Sequence, residues 1–178
     1  MRPSPESLTS FADQNGVSLL DLSRQRPALV VFLRHAGCTF CRQALADLAE
    51  ARHTIEAAGT GIVLVHMGTA EEGQALTARF GLADVPRISD PDRRLYQEFE
   101  LSRGSVSQVA GPRVWLRGLK AILTGNLVGT PKGDVLQLPG AFLLSDGKIV
   151  KAFRHATSAD RPDYCQLAAW RESPRTGA

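Results

Sequence analysis

Two nearly uninterrupted apolar runs constrain this chain more than any other feature. Ala28-Leu29-Val30-Val31-Phe32-Leu33 and Ile62-Val63-Leu64-Val65-His66-Met67 lack the polar/apolar alternation of a half-exposed strand. Runs of this length and β-branched content read as strands buried on both faces, the habit of a parallel sheet. Between them Ala44, Leu45, Leu48, Ala51 and Ile55 recur at helical spacing, and Gly59 and Gly61 end the pattern. A helix is therefore expected from about Thr39 to Ala58. Strand, helix and strand within residues 28–67 make a βαβ unit. The fold class this implies is α/β, with a central mixed sheet flanked by helices.

The rest of the chain fits around that unit. A short helix is expected around Ser7–Gln14, stopped by Gly16. Thr69 and Glu72 have capping-box spacing and open a helix that ends near Phe80, before Gly81. Val85–Ile88 is a short strand, and Ser89-Asp90-Pro91 is expected to start a helix with Leu95 and Phe99 on its apolar stripe. Ala141–Leu144 and Ile149–Phe153 are strands joined across Asp146-Gly147, a strong two-residue hairpin signal. A last helix is expected over Pro162–Trp170, followed by a disordered tail from Ser173 to Ala178. Residues 102–138 read as a glycine-rich insertion around a helix, Pro112–Thr124, whose Arg113, Arg117 and Lys120 form a solvated cationic face, the alternative being a helix that docks on a membrane surface or a partner. With 178 residues and 43% apolar content, one domain over 1–178 can bury a core without covalent staples.

The chemistry is concentrated in Cys38-Thr39-Phe40-Cys41, at the handover from the first strand to the long helix. A helix N-terminus carries unpaired N–H groups and partial positive charge, and both favour a thiolate over a thiol. Spacing of this kind lets one helical turn bring two sulfurs within bonding reach, so that one attacks a substrate and the other resolves the adduct. Arg34, His35 and Arg42 add positive charge nearby. Three cysteines are not a disulfide framework; with no apolar leader at the N-terminus and no run of ~20 apolar residues, a reduced cytoplasmic setting is the default. His35, Cys38 and Cys41 fall one ligand short of a structural metal site, and no Walker loop or dinucleotide fingerprint occurs, so no cofactor is expected. The net charge of +3 is scattered, which speaks against nucleic acid as a partner. Cys165 reads as a small hydrophobe on the last helix, and His53, His66 and His155 read as structural.

The stretch Phe32-Leu33-Arg34-His35-Ala36-Gly37-Cys38-Thr39-Phe40-Cys41-Arg42 resembles the signature of peroxiredoxin-like proteins of the alkyl hydroperoxide reductase/thiol-specific antioxidant group, in the branch of selenoprotein L-like and prostamide synthase-like proteins. Ser89–Tyr96, Gly133–Gly140 and Phe142–Lys148 fit the same branch. The resemblance implies a thioredoxin-like fold and a thiol-dependent oxidoreductase acting on a peroxide or disulfide. It also implies recycling by a thioredoxin-like or glutathione donor, with a homodimer left open. In the family motif P-x-x-x-[ST]-x-x-C, taking Cys41 as the final cysteine puts Cys38 in the hydroxyl place and Arg34 in the proline place. That departure moves the expectation toward disulfide exchange. By thioredoxin analogy Cys38 is the attacker; by peroxiredoxin analogy it is Cys41. Arg34 and Arg113 are the candidate cations for the thiolate. Pro139, just before a strand, stands where thioredoxin-like folds hold a cis-proline beside the cysteines, which makes Leu138–Pro139 the candidate cis bond. A redox-sensing binding module without turnover is the alternative function.

Overall fold

Burial on both faces of β1 (Ala28–Phe32) organises the molecule. Ala28, Val30 and Phe32 enter one apolar cluster, and Leu29, Val31 and the following Leu33 enter another on the opposite side of the sheet. The chain is seen in a computed structural model that describes residues 3–34, 39–104, 136–157 and 160–170. Before β1 lie α1 (Pro5–Ser10) and α2 (Leu19–Gln25). After it come α3 (Thr39–Ala57), β2 (Gly61–His66), α4 (Ala70–Ala78), β3 (Arg87–Ser89), α5 (Arg94–Glu98), β4 (Gly140–Ser145), β5 (Lys148–Arg154) and α6 (Tyr164–Ala168).

The five strands run in the order β3-β2-β1-β4-β5. β1, β2 and β3 are parallel, and β4 pairs antiparallel with both β1 and β5, so the sheet is mixed. One layer of helices contributes Leu8, Leu19 and Leu95 from α1, α2 and α5. The other contributes Leu45 and Leu48 from α3, Leu76 from α4 and Ala168 from α6. This arrangement is why β1 and β2 show no polar alternation: neither face meets water. Among the described residues no helix is long and apolar enough to cross a membrane.

Several local expectations hold in detail. The capping box at α4 is present, with the Thr69 hydroxyl accepting from the Glu72 N–H and the Glu72 carboxylate accepting from the Thr69 N–H. The β4–β5 turn places Asp146 at φ 49° and Gly147 at φ 70°, the backbone that Asp-Gly hairpins favour. Ser23 of α2 seats that turn, its carbonyl and hydroxyl accepting the Asp146 and Gly147 N–H groups at 2.9 Å each.

Three expectations are corrected. The first helix is Pro5–Ser10 rather than Ser7–Gln14, capped by the Ser4 hydroxyl, and α2 was not anticipated at all. α5 begins at Arg94, not directly after Ser89. The Asp90 carboxylate reaches forward to accept N–H groups of Arg94 at 3.1 Å and Leu95 at 2.8 Å, and Arg93 turns the chain through φ 59°. No described peptide bond is cis, so Leu138–Pro139 is trans. Leu138 is tied in that form by its N–H to the Ser102 carbonyl at 3.2 Å and by its carbonyl to the Gln137 amide at 3.2 Å. The expected helix Pro112–Thr124, most of the insertion and the C-terminal tail lie outside the described residues.

Phe32 is the keystone of the aromatic cluster. Its ring centroid lies 5.0 Å from Tyr96, 4.9 Å from Phe99 and 5.7 Å from Phe142, mostly edge to face. Phe32→Ala is expected to lower unfolding stability by about 3–5 kcal/mol, through lost burial and the cavity left behind. Urea denaturation checks this as a lower midpoint with an unchanged slope.

Candidate active site

The parallel pairing of β1 with β2 runs one step past β1: the Leu33 N–H still donates to the Val65 carbonyl at 2.8 Å. The chain then turns through buried Arg34 toward α3. Cys41 stands in the first turn of α3 with only 3% of its surface exposed. Its sulfur accepts the backbone N–H of Arg34 at 3.1 Å. A short N–H···S contact of this kind, added to the positive end of a helix, favours a sulfur bearing negative charge. Cys38, together with His35, Ala36 and Gly37, lies outside the described residues, as does Arg113.

The peptide that donates to Cys41 is held from its other end. The Leu33 carbonyl, on the same peptide unit as the Arg34 N–H, accepts a hydrogen bond from the Tyr96 hydroxyl. That hydroxyl also lies 3.3 Å from the Val65 carbonyl. Tyr96 is fully buried, and burial, then the negative charges of a Cys41 thiolate and Asp90, raise its phenol far above the ordinary value. It stays a donor.

Cys41 and Arg34 share a small cleft, with about 20 Å³ of free space, with Pro139, Tyr164, His155 and Asp160. Burial pushes the His155 imidazole down to about 4, against the opposing pull of the Asp160 carboxylate, so the ring is neutral near pH 7. Burial alone would raise the Asp160 carboxyl. Hydrogen bonds from the Thr157 N–H and hydroxyl at 2.8 Å, and from the Ala156 N–H at 2.7 Å, outweigh burial and hold it below its usual value. Burial, then the negative charges of Asp47 and Cys41, raises the Tyr164 phenol. Arg161 clamps this wall to α3 through a two-pronged bond to Asp47, with Nε at 3.0 Å and Nη2 at 2.6 Å.

Of the residues singled out in the sequence, Cys41, Arg34 and Pro139 meet at one cleft. Cys165 is half-buried on α6 and is not part of the cleft lining. Tyr96, His155, Asp160, Arg161 and Tyr164 went unrecognised as site residues. Each is brought in by the fold from far along the chain, and none carries a local spacing that marks it. Among the described residues no group of three or more His, Cys, Asp or Glu side chains is placed to hold a metal ion.

Cys41 thus sits in the first turn of the helix that follows a central strand, on a mixed five-stranded sheet with helices on both faces, a place where a thiol can be activated by the helix N-terminus. The family model described as AhpC/TSA antioxidant enzyme matches residues 47–157, more than half of the chain, and the chain belongs to that family. The matched segment begins downstream of Cys41. A chloroplastic thioredoxin-like protein of Arabidopsis thaliana is 29% identical over 111 residues, which are 62% of this chain and 44% of that relative. The chain thus spans less than half of the plant protein. A prostamide/prostaglandin F synthase of Salmo salar is 26% identical over 171 residues, covering 94% and 84% of the two chains. Among solved structures, the Xanthomonas campestris bacterioferritin comigratory protein superposes with a TM-score of 0.63 at 18% identity over 89% of each chain. The Mycobacterium tuberculosis peroxidoxin BcpB gives 0.61 at 14% identity over 89% and 87%. At these identities the structural likeness speaks for the fold.

The low His155 value has a stability consequence. A histidine at about 4 when folded and near 6.5 when unfolded leaves the folded state binding fewer protons between those values. Stability from this group is complete above pH 6.5 and is lost as the pH falls toward 4. In His155→Phe, which keeps a ring against Phe153, this component is absent. The difference in unfolding free energy between wild type and variant is expected to be flat above pH 7 and to shift against the wild type from pH 6.5 to 4, read by denaturant titration at each pH.

Proposed function

We propose that the protein reduces hydroperoxides with Cys41 as the attacking thiolate and Cys38 as its resolving partner, and is recycled by an external dithiol. The observation that carries this reading is the Cys41 sulfur, in the first turn of α3 and accepting the Arg34 N–H at 3.1 Å on the cleft wall. The buried Arg34 side chain lines the same cleft and supplies the positive charge that a developing alkoxide needs. The confined space favours the two-oxygen head of a hydroperoxide over the disulfide of a folded protein, against the leaning that the motif departure suggested.

In the first step the Cys41 thiolate attacks the terminal peroxide oxygen. An S–O bond forms, the O–O bond breaks, and the leaving alkoxide takes up a proton to become an alcohol, or water when the substrate is hydrogen peroxide. Cys41 is then a sulfenic acid. The Cys38 thiol displaces its hydroxyl as water and closes a Cys38–Cys41 disulfide. A thioredoxin-like or glutathione donor reduces that disulfide by thiol–disulfide exchange, so two electrons pass from donor to peroxide in each cycle. Names among the relatives support a peroxide-reducing reading, peroxiredoxin-like 2C of Bos taurus being one, 26% identical over 145 residues.

Steady-state consumption of hydrogen peroxide and of an alkyl hydroperoxide, with excess dithiothreitol as donor, tests the proposal. The wild type is expected to turn over repeatedly. Cys41→Ser is expected to lose more than ~10³-fold in kcat/KM, as removal of a nucleophile does. Cys38→Ser is expected to complete the first oxidation and then recycle poorly. A wild type that consumes one equivalent and stops, despite excess dithiol, makes the chain a redox sensor. Full activity in Cys41→Ser assigns attack to another thiol.

A further inference from the structure

The peptide unit joining Leu33 to Arg34 has both of its polar ends engaged. Its N–H points at the Cys41 sulfur at 3.1 Å, and its carbonyl takes the Tyr96 hydroxyl. We propose that Tyr96 is a positioning residue for the thiol chemistry, acting through this one peptide to orient and strengthen the N–H donor that stabilises the Cys41 thiolate. The inference rests on the reading of Cys41 as the working thiol.

Two physical effects lead from the hydroxyl to the sulfur. The first is orientation. The Leu33 N–H makes the last step of the β1–β2 pairing, and the peptide plane that follows Leu33 lies beyond it. The Tyr96 hydroxyl supplies the missing constraint on the carbonyl, and the planarity of the peptide transmits it to the N–H. The second is polarisation. A donor on the carbonyl draws electron density from the amide, so the N–H at the opposite end becomes a stronger donor, most effectively toward an anion. Hydrogen-bonded chains in a dry interior strengthen in this way, and Tyr96, Leu33, Arg34 and Cys41 are all buried.

Tyr96 is itself built to stay in place. Its ring is locked edge-on against Phe32, with centroids 5.0 Å apart at 75°. Its backbone N–H, with those of Arg94 and Leu95, meets the buried Asp90 carboxylate. The groups facing its hydroxyl are the Leu33 and Val65 carbonyls, both acceptors. The hydroxyl is the part that reaches the peptide serving Cys41.

The test is the pH dependence of Cys41 alkylation by a short pulse of iodoacetamide, with the Cys41 peptide resolved by mass spectrometry. Wild type, Tyr96→Phe and Phe99→Leu are compared. Tyr96→Phe keeps the ring and deletes the donor. It is expected to raise the midpoint of Cys41 alkylation by roughly half a unit, leaving about threefold less thiolate on the acid side of the curve. Phe99→Leu disturbs the same aromatic cluster without touching the peptide, and its midpoint is expected to stay at the wild-type value while its thermal stability drops. Replacement of Tyr96 by 3-fluorotyrosine makes the hydroxyl a stronger donor and is expected to move the midpoint in the opposite direction; it decides the matter if Tyr96→Phe does not fold. A reactive wild-type Cys41 whose midpoint ignores both changes at position 96 overturns the role of Tyr96 and leaves the proposed function standing. Where iodoacetamide does not enter the cleft, the same midpoints are read from the loss of the Cys41 thiol to hydrogen peroxide; a wild-type Cys41 inert to peroxide at every pH overturns the proposed function, and this inference with it.

Discussion

The amide hydrogen bond from Arg34 to the Cys41 sulfur depends on β1 being buried from both sides. Only a strand with apolar neighbours above and below carries its last peptide into the interior, where one N–H can matter to one sulfur. Phe32 packs that strand against the α5 aromatics, and Leu33 packs against the α3 side. The two clusters therefore grip the strand end in opposite directions, and the first turn of α3 is delivered against it. A chain with a half-exposed β1 would have its final peptide solvated by water, and the donor would be lost to competition with solvent.

The same burial shapes what the cleft admits. Cys41 is nearly inaccessible, and the wall facing it is pinned by the Arg161–Asp47 pair and by Asp160 holding its own loop together. Small oxidants suit such a site, since a dry, crowded cleft strengthens fixed dipoles while excluding bulky partners. On the proposed function, recycling by an external dithiol calls for the oxidised sulfur to be relayed outward, the task that the proposal assigns to Cys38. The neutral His155 and protonated Tyr164 leave the cleft without added negative charge from those groups near the thiolate.

What was legible in the sequence was what local pattern governs. β1, α3 and β2 declared themselves by unbroken apolar runs and helical spacing, the α4 capping box by Thr69 and Glu72, and the hairpin by Asp146-Gly147. The start of α5 was misplaced because Asp90 caps it through its side chain across an irregular turn, and Pro91 hid that by looking like a first-turn residue. α2 carries Leu19 and Leu20 inward over only two turns, too short a pattern to stand out beside Gly16. In the site, Cys41 and Arg34 were marked by their place at a strand–helix junction. Tyr96, His155 and Asp160 were not, because their contribution comes from pairing across the sheet and from a loop after β5. Pro139 lines the cleft just before β4, and its trans bond differs from the cis-proline that the resemblance implied.

The most direct measurement is to expose the reduced wild-type protein to one equivalent of hydroperoxide in the presence of dimedone and map the adduct by mass spectrometry. The dimedone label is expected on Cys41, in a share that rises with dimedone concentration, with the untrapped remainder recovered as a Cys38–Cys41 disulfide because trapping competes with resolution. A label on Cys38 with Cys41 unmodified, or no oxidation of either thiol, contradicts it.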